Sequence, residues 1–154
     1  MKITTSIKKP STKHYSVKGK NLDALFAALE AREFWGRFVA NEKINWGNKD
    51  PVETVKISAA PVIYMPKWAD YSKAEKDAKD SFDNMYKVLA KHEKNHYYIL
   101  LEQVAMFQKL LNGLDELSAK DAKTKWKVFQ ADHKKAQKKY DDATDHGIKE
   151  GVAL

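Results

Sequence analysis

The residues whose types and spacing point most directly to chemistry are His92-Glu93-Lys94-Asn95-His96, an HExxH pentapeptide. In an α-helix, histidines four residues apart lie one turn apart on the same face, so both imidazoles can reach one metal ion. Glu93 then stands beside that ion and can act as a general base. The pentapeptide therefore predicts a Zn²⁺ site with His92 and His96 as ligands and Glu93 as a catalytic residue.

The surrounding sequence favours a helix. No proline or glycine occurs from about Phe82 to Leu111, and apolar residues recur there at spacings of three and four. The predicted inward stripe consists of Met85, Leu89, His92, His96, Ile99, Gln103, Met106 and Leu110. Both histidines are thus expected to face the core. The alternative is a helix with two partly buried, hydrogen-bonded histidines and a solvated glutamate.

A third ligand must be a histidine or a carboxylate, because the chain has no cysteine. A metzincin would have glycine three residues after His96 and histidine three beyond it, where this chain has Ile99 and Glu102. The metzincin pattern is therefore excluded. Glu116 is the nearest candidate for a gluzincin ligand, but it lies between the predicted helices and is more typical of a solvated or capping residue.

A dense cluster of metal-binding and hydrogen-bonding groups lies at residues 140–147, with the sequence YDDATDHG. We predict that His146 is the third ligand and that Tyr140 is a catalytic residue that steadies the oxyanion. Asp141 and Thr144 would orient ligands or donate to the same oxyanion. In an unbroken helix His146 lies about 240° around from Tyr140. Either the helix unwinds before the glycine or one of the two residues lies outside the site.

Two other residues are rivals for the third ligand. His133 belongs to the apolar stripe of the last predicted helix, which consists of Ala122, Trp126, Phe129, His133, Ala136, Tyr140 and Ala143. It could be a ligand, an oxyanion donor or a hydrogen-bonded core residue. Asp142 is the remaining candidate.

The elements that must position these residues indicate an α+β fold. We predict a flexible tail at residues 1–12 and one domain at residues 13–154, since 154 residues with 43% apolar content suit a single core. A short strand at His14–Val17 is followed by a helix that Asn21 caps and that ends near Arg32.

Two strands are predicted next, from Phe34 to Trp46 and from Val52 to Met65, with an edge, bulge or break at Pro61. Helical sequence runs from about Ser72 and is interrupted at Asn112-Gly113. The two long helices should pack antiparallel. The fold prediction is a minimal zincin-like domain, in which a small antiparallel sheet packs on the HExxH helix and a C-terminal helix.

The formal net charge is +7, and many of the lysines lie between Lys120 and Lys139. They are interpreted as a solvated helix face, and no nucleic-acid partner is expected, because arginine clusters and an aromatic platform are missing. We expect no transmembrane segment, because no stretch approaches the length of a membrane span. No signal peptide is apparent, which suits a cytoplasmic protein or a secreted one whose signal was removed.

These motifs resemble a family of bacterial predicted secreted zinc-dependent proteases, otherwise catalogued as a domain of unknown function. The similarity lies in residues 15–20, in residues 55–68 ending Met-Pro-Lys-Trp, in the HExxH pentapeptide and in the terminal YDxxTxHG pattern with its following tail. It implies a periplasmic or secreted location and favours His146 over His133. The chain departs from the family at Asn95, where glycine is usual, and in having no cysteines.

The function expected from the sequence is hydrolysis of peptide bonds in a peptide or protein substrate by a zinc-activated water, with Glu93 as the general base. An exposed sheet edge between Lys56 and Tyr64 is expected to hold the substrate by strand addition. One alternative is a non-catalytic, zinc-stabilised module that uses its basic face on an acidic partner. Another is a zinc hydrolase acting on a cell-wall or ester substrate.

Overall fold

The structure, a computed structural model, describes residues 1–154 and confirms the α+β class. Its strands are β1 (Lys2–Ile7), β2 (Ser11–Val17), β3 (Arg37–Val39), β4 (Glu42–Asn45), β5 (Thr54–Ala59) and β6 (Val62–Trp68). Its helices are α1 (Leu22–Glu30), α2 (Lys76–Asn112) and α3 (Ala119–Thr144), with short 3-10 turns at Tyr71–Lys73 and Ile148–Glu150. No helix combines the length and the apolar character that crossing a membrane requires.

The strands form two mixed sheets of three strands, in the orders β1-β5-β4 and β2-β6-β3. The first two strands pair in parallel with β5 and β6, whereas β4 and β3 pair with them antiparallel. Three stretches of chain, residues 2–17, 37–45 and 54–68, each contribute one strand to each sheet. The predicted break at Pro61 is confirmed, because it separates β5 from β6. Proline has no N–H to donate to a sheet. Beside the break, the amide of Ser11 donates to the carbonyl of Pro61 at 3.1 Å.

Three expectations about the sheet are wrong. Residues 2–7 are not a flexible tail but strand β1, whose Ile3 and Ile7 pack against a buried cluster. The sheets are mixed, not antiparallel, because both N-terminal strands pair in parallel with the central ones. Consequently β5 and β6 have neighbours on both sides, and the expected free edge between Lys56 and Tyr64 does not exist.

The long helix α2 buries both histidines, but its expected inward stripe is wrong beyond His96. The buried residues there are Leu100, Val104, Phe107 and Leu111. Met106 and Leu110, which were expected inside, are 58% and 51% exposed. After His96 the buried row takes a step of four residues to Leu100, whereas the expected row took a step of three, so every later member of the expected row lies one residue, or 100°, away from the buried row.

Helix α3 runs antiparallel to α2, as expected, because His92 and His96 contact Asp141 and Gln137 in reverse order. Two buried clusters lie along α2. One contains Phe82, Met85 and Leu89, which pack with α1 and β6. The other contains the residues from Leu100 to Leu111 that pack with β5 and α3. The two histidines lie between these clusters, so α2 is packed against other elements both before and after them.

Candidate metal centre

His92, His96 and Asp141 form a compact group that could hold a metal ion, with ligand atoms within 4.8 Å of one another. Nε2 of His92 lies 3.0 Å from Oδ1 of Asp141, and Nε2 of His96 lies 2.9 Å from the same oxygen. Both histidines are buried, and α3 presents Asp141 to them from the facing side. Histidine and carboxylate are the donor set that suits zinc in the absence of cysteine.

The other ring nitrogen of each histidine has its own partner. Nδ1 of His92 lies 2.6 Å from Oε1 of Glu150, and Nδ1 of His96 lies 2.6 Å from Oε1 of Gln137. The orientation of Gln137 is fixed, because its amide nitrogen donates to the carbonyl of His96 at 3.0 Å. Nδ1 of His96 must therefore be a donor, so in the neutral ring Nε2 turns a lone pair toward Asp141, and in the charged ring Nε2 donates to it.

Positive charge between Asp141 and the two Nε2 atoms would stabilise this arrangement. Burial would lower the pKa of His92 and His96, but their hydrogen bonds to Asp141 and their second partners raise it above the ordinary value. Burial would raise the pKa of Asp141, yet the two histidines hold it well below its usual range. Protons supply that positive charge in part, and a divalent cation would supply it more completely. The donor set therefore fits a metal ion.

Glu93 lies beside the group and faces the adjoining cavity. It is 4% exposed, and burial raises its pKa to about 7, although the two histidines oppose that shift. A carboxylate with a pKa near neutrality is well matched to accept and release a proton. Gly36 packs directly on it, because a Cβ at that position would lie 2.8 Å from Oε1 of Glu93. No sequence pattern indicated this contact of Gly36 with Glu93.

Tyr140 contacts both histidines, with ring centroids 4.8 Å from His92 and 5.0 Å from His96. Its hydroxyl donates to Glu150 at 2.6 Å and accepts from Asn95 at 2.8 Å. Burial and Glu150 raise its pKa, so the phenol stays protonated. Tyr140 is not among the residues that line the cavity. Its expected contact with an oxyanion remains a prediction, and its observed contacts position His92 and Glu150.

The end of α3 unwinds before Gly147, which was one of the two expected outcomes. Asp145 and His146 have φ angles of 49° and 51°, and Gly147 has a φ of 92°. A Cβ at Gly147 would lie 2.7 Å from a methyl of Val152 and 3.2 Å from the His92 ring, so only glycine fits there. This turn reverses the chain and brings Glu150 back to His92.

Of the remaining candidate ligands, His146 lies beside the group, whereas the side chains of His133 and Asp142 pair with other residues. The side chain of His146 is 57% exposed, lines the cavity, and has its Nδ1 at 3.8 Å from Oδ2 of Asp141. Its assignment as the third ligand remains a prediction. His133 is buried and bonded to Gln137, and Asp142 is exposed and paired with Lys138.

Two residues that contact the ligands, Gln137 and Glu150, were not identified from the sequence. Gln137 precedes Asp141 by one helical turn and follows His133 by one turn, so helical spacing could have placed it on the same face. Glu150 carried no such signal, because its approach depends on the left-handed turn at residues 145–147.

A cavity of about 690 Å³ opens onto the group. One wall is apolar and includes Phe26, Phe34 and Ile148, whose side chains are exposed even though they are large and hydrophobic. The loop before β3 is held by Tyr15, whose hydroxyl donates to the carbonyl of Trp35. The other lining residues are Glu30, Arg32, Glu33, Trp35, Gly36, Arg37, Phe38, Leu89, His92, Glu93, His96, Gln137, Asp141, His146, Val152, Ala153 and Leu154.

The fold and the site define an α+β protein with a buried His-His-Asp group at the wall of a cavity. The family model described as "Bacterial protein of unknown function (DUF922)" matches residues 12–147, and the chain belongs to this family. The match includes the three residues of the group and ends before Glu150. No curated protein and no solved structure matches the chain.

Proposed function

We propose that the protein is a zinc-dependent peptidase whose metal is held by His92, His96 and Asp141. The observation that carries the proposal is the convergence of both Nε2 atoms on one carboxylate oxygen, beside a buried glutamate and an open cavity. A structural zinc site usually has four protein ligands, whereas a catalytic site keeps one position open. Three converging ligands at a cavity wall favour the catalytic kind.

Zinc bound there would supply Lewis acidity and make a water molecule nucleophilic near neutral pH. Glu93 would serve as the general base, taking up a proton on its carboxylate and releasing it to the leaving amine, for which its pKa of about 7 is suited. His146 lies at the cavity wall beside Asp141, which supports a role as donor to the oxygen of the scissile carbonyl. Tyr140 and Glu150 hold the ring of His92 in place.

The substrate proposed for this cavity is an extended peptide with a bulky apolar side chain next to the cleaved bond. Phe26, Phe34 and Ile148 form an exposed apolar wall that such a side chain would cover. Strand β3 is at the edge of its sheet and follows Gly36, which touches Glu93. We therefore propose that the substrate peptide pairs with the free edge of β3 and not with the edge that was expected between Lys56 and Tyr64.

The test is Glu93→Gln compared with Glu102→Gln, an exposed glutamate on the same helix. Glu93→Gln should retain zinc and lose cleavage of a broad peptide library by about 100-fold or more, because general-base catalysis contributes roughly 10² to 10⁴. Glu102→Gln should match the wild type in both measurements. The proposal fails if zinc-loaded wild type cleaves nothing, or if Glu93→Gln cleaves as fast as wild type.

A further inference from the structure

His133 is a buried titratable residue that the proposed reaction does not use. Its Nε2 accepts from the amide nitrogen of Gln137 at 2.8 Å, so its proton is on Nδ1, which lies 3.4 Å from Oε1 of Glu42. This contact with His133 lowers the pKa of Glu42. The ring of Phe129 stacks on His133 and limits its movement.

Gln137 uses its whole amide group in this arrangement. Its nitrogen donates to the carbonyl of His96 and to His133, and its oxygen accepts from Nδ1 of His96 at 2.6 Å. Reversing the amide would place a donor against Nδ1 of His96 and an acceptor against the backbone carbonyl. The hydrogen bonds therefore run in one direction, from His96 through Gln137 to His133, and Nδ1 of His133 lies 3.4 Å from Glu42.

We propose that Glu42, His133 and Gln137 act together as positioning residues that hold His96 in the tautomer with Nδ1 protonated and Nε2 free for a metal. The two ligand histidines differ in this respect, since a neutral amide faces His96 and a carboxylate faces His92. Glu42 is the first residue of β4, so these contacts also connect that strand to the site. The inference rests on the proposed metal site, but it does not require peptidase activity.

The test is Gln137→Met, which keeps the length of the side chain and removes its polar atoms. The Zn²⁺ dissociation constant should rise about 10- to 100-fold, as for other partners of metal-bound histidines. His133→Leu should raise it about fivefold, the equivalent of one hydrogen bond. Adding His133→Leu to Gln137→Met should change it by less than about twofold, because His133 acts only through Gln137.

A second readout needs no metal. Nitrogen-15 NMR of the metal-free wild type at alkaline pH, where imidazoles are neutral, should show His96 with Nδ1 protonated. Gln137→Met should give a mixture of tautomers at His96 and leave His92 unchanged. Gln130→Met is the matched control, since Gln130 is exposed on the same helix, and it should alter neither readout.

The inference is overturned if Gln137→Met binds zinc as tightly as wild type, if the His96 tautomer is unchanged, or if the effects of the Gln137 and His133 substitutions multiply. Failure of the proposed function would look different. A wild type that binds zinc but cleaves no peptide refutes the peptidase and leaves the positioning role standing. If the wild type binds no zinc, the NMR comparison still decides whether Gln137 and His133 set the tautomer.

Discussion

The identity of the third ligand can be decided by comparing Asp141→Asn with His146→Ala. Asp141 places one oxygen 3.0 Å from His92 and 2.9 Å from His96, so the asparagine variant loses the charge at the point where the group converges. Removing a partner of a metal-bound histidine costs about 10- to 100-fold in affinity, and loss of a direct ligand should exceed that. Asp141→Asn should therefore raise the Zn²⁺ dissociation constant more than 100-fold, which corresponds to about 2.8 kcal/mol.

The expected effect of His146→Ala is much smaller. The side chain of His146 is 57% exposed, and its Nδ1 lies 3.8 Å from Oδ2 of Asp141. An exposed pair of this kind contributes about 1 kcal/mol at most, or roughly a fivefold change in affinity. Zinc competition against a chromogenic chelator near neutral pH measures both variants, and circular dichroism of the metal-free proteins controls for folding. Loss of zinc in His146→Ala together with full binding by Asp141→Asn would refute the assignment of Asp141 and establish His146 as the ligand.

Three further predictions follow from contacts around the site. Gly36→Ala should lower kcat and leave zinc affinity unchanged, because the added methyl lies 2.8 Å from Oε1 of Glu93 and overpacking costs about 1–3 kcal/mol; unchanged kcat would contradict this. Phe34→Ser should lower kcat/KM about tenfold for peptides with bulky apolar side chains but not for polar ones, since Phe34 forms part of the apolar wall; an equal loss for both peptide sets would argue against a binding role. Glu42→Gln should destabilise the protein above pH 4.5, because His133 lowers the pKa of Glu42 from 4.5 and so stabilises the folded protein while Glu42 is charged. This stabilisation is lost as the pH falls through the lowered pKa of Glu42. Urea unfolding at several pH values should show the two proteins converging in acid, and a constant difference would contradict the prediction.

The sequence was most informative where local periodicity decides structure. The HExxH spacing, the run without proline or glycine and the cap at Asn21 were sufficient to predict α2, α1 and the burial of both histidines. Helix α3 followed from the Gly113 break and the apolar stripe through Phe129. Helix periodicity and capping depend on residues within one or two turns of each other, so they can be recognised from a short stretch of sequence.

Features that depend on distant pairing were missed. Strand β1 pairs with β5 about fifty residues later, and its exposed polar residues do not distinguish a strand from a tail. The same parallel pairing makes β5 central instead of an edge. Within the site, Asp141 was expected to orient ligands or to act on the oxyanion and not to be a ligand itself, because nothing local shows that α3 directs its carboxylate between the two histidines.

Peptide cleavage measured against zinc content tests whether the protein is a zinc-dependent peptidase. The protein is first stripped of metal, then titrated with Zn²⁺ while a peptide library is followed by mass spectrometry. Cleavage should be absent without metal and should rise until about one zinc is bound per chain, as expected for one site with an open position. Full zinc binding without any cleavage, or cleavage that is unchanged after the metal has been removed, would refute a zinc-dependent peptidase.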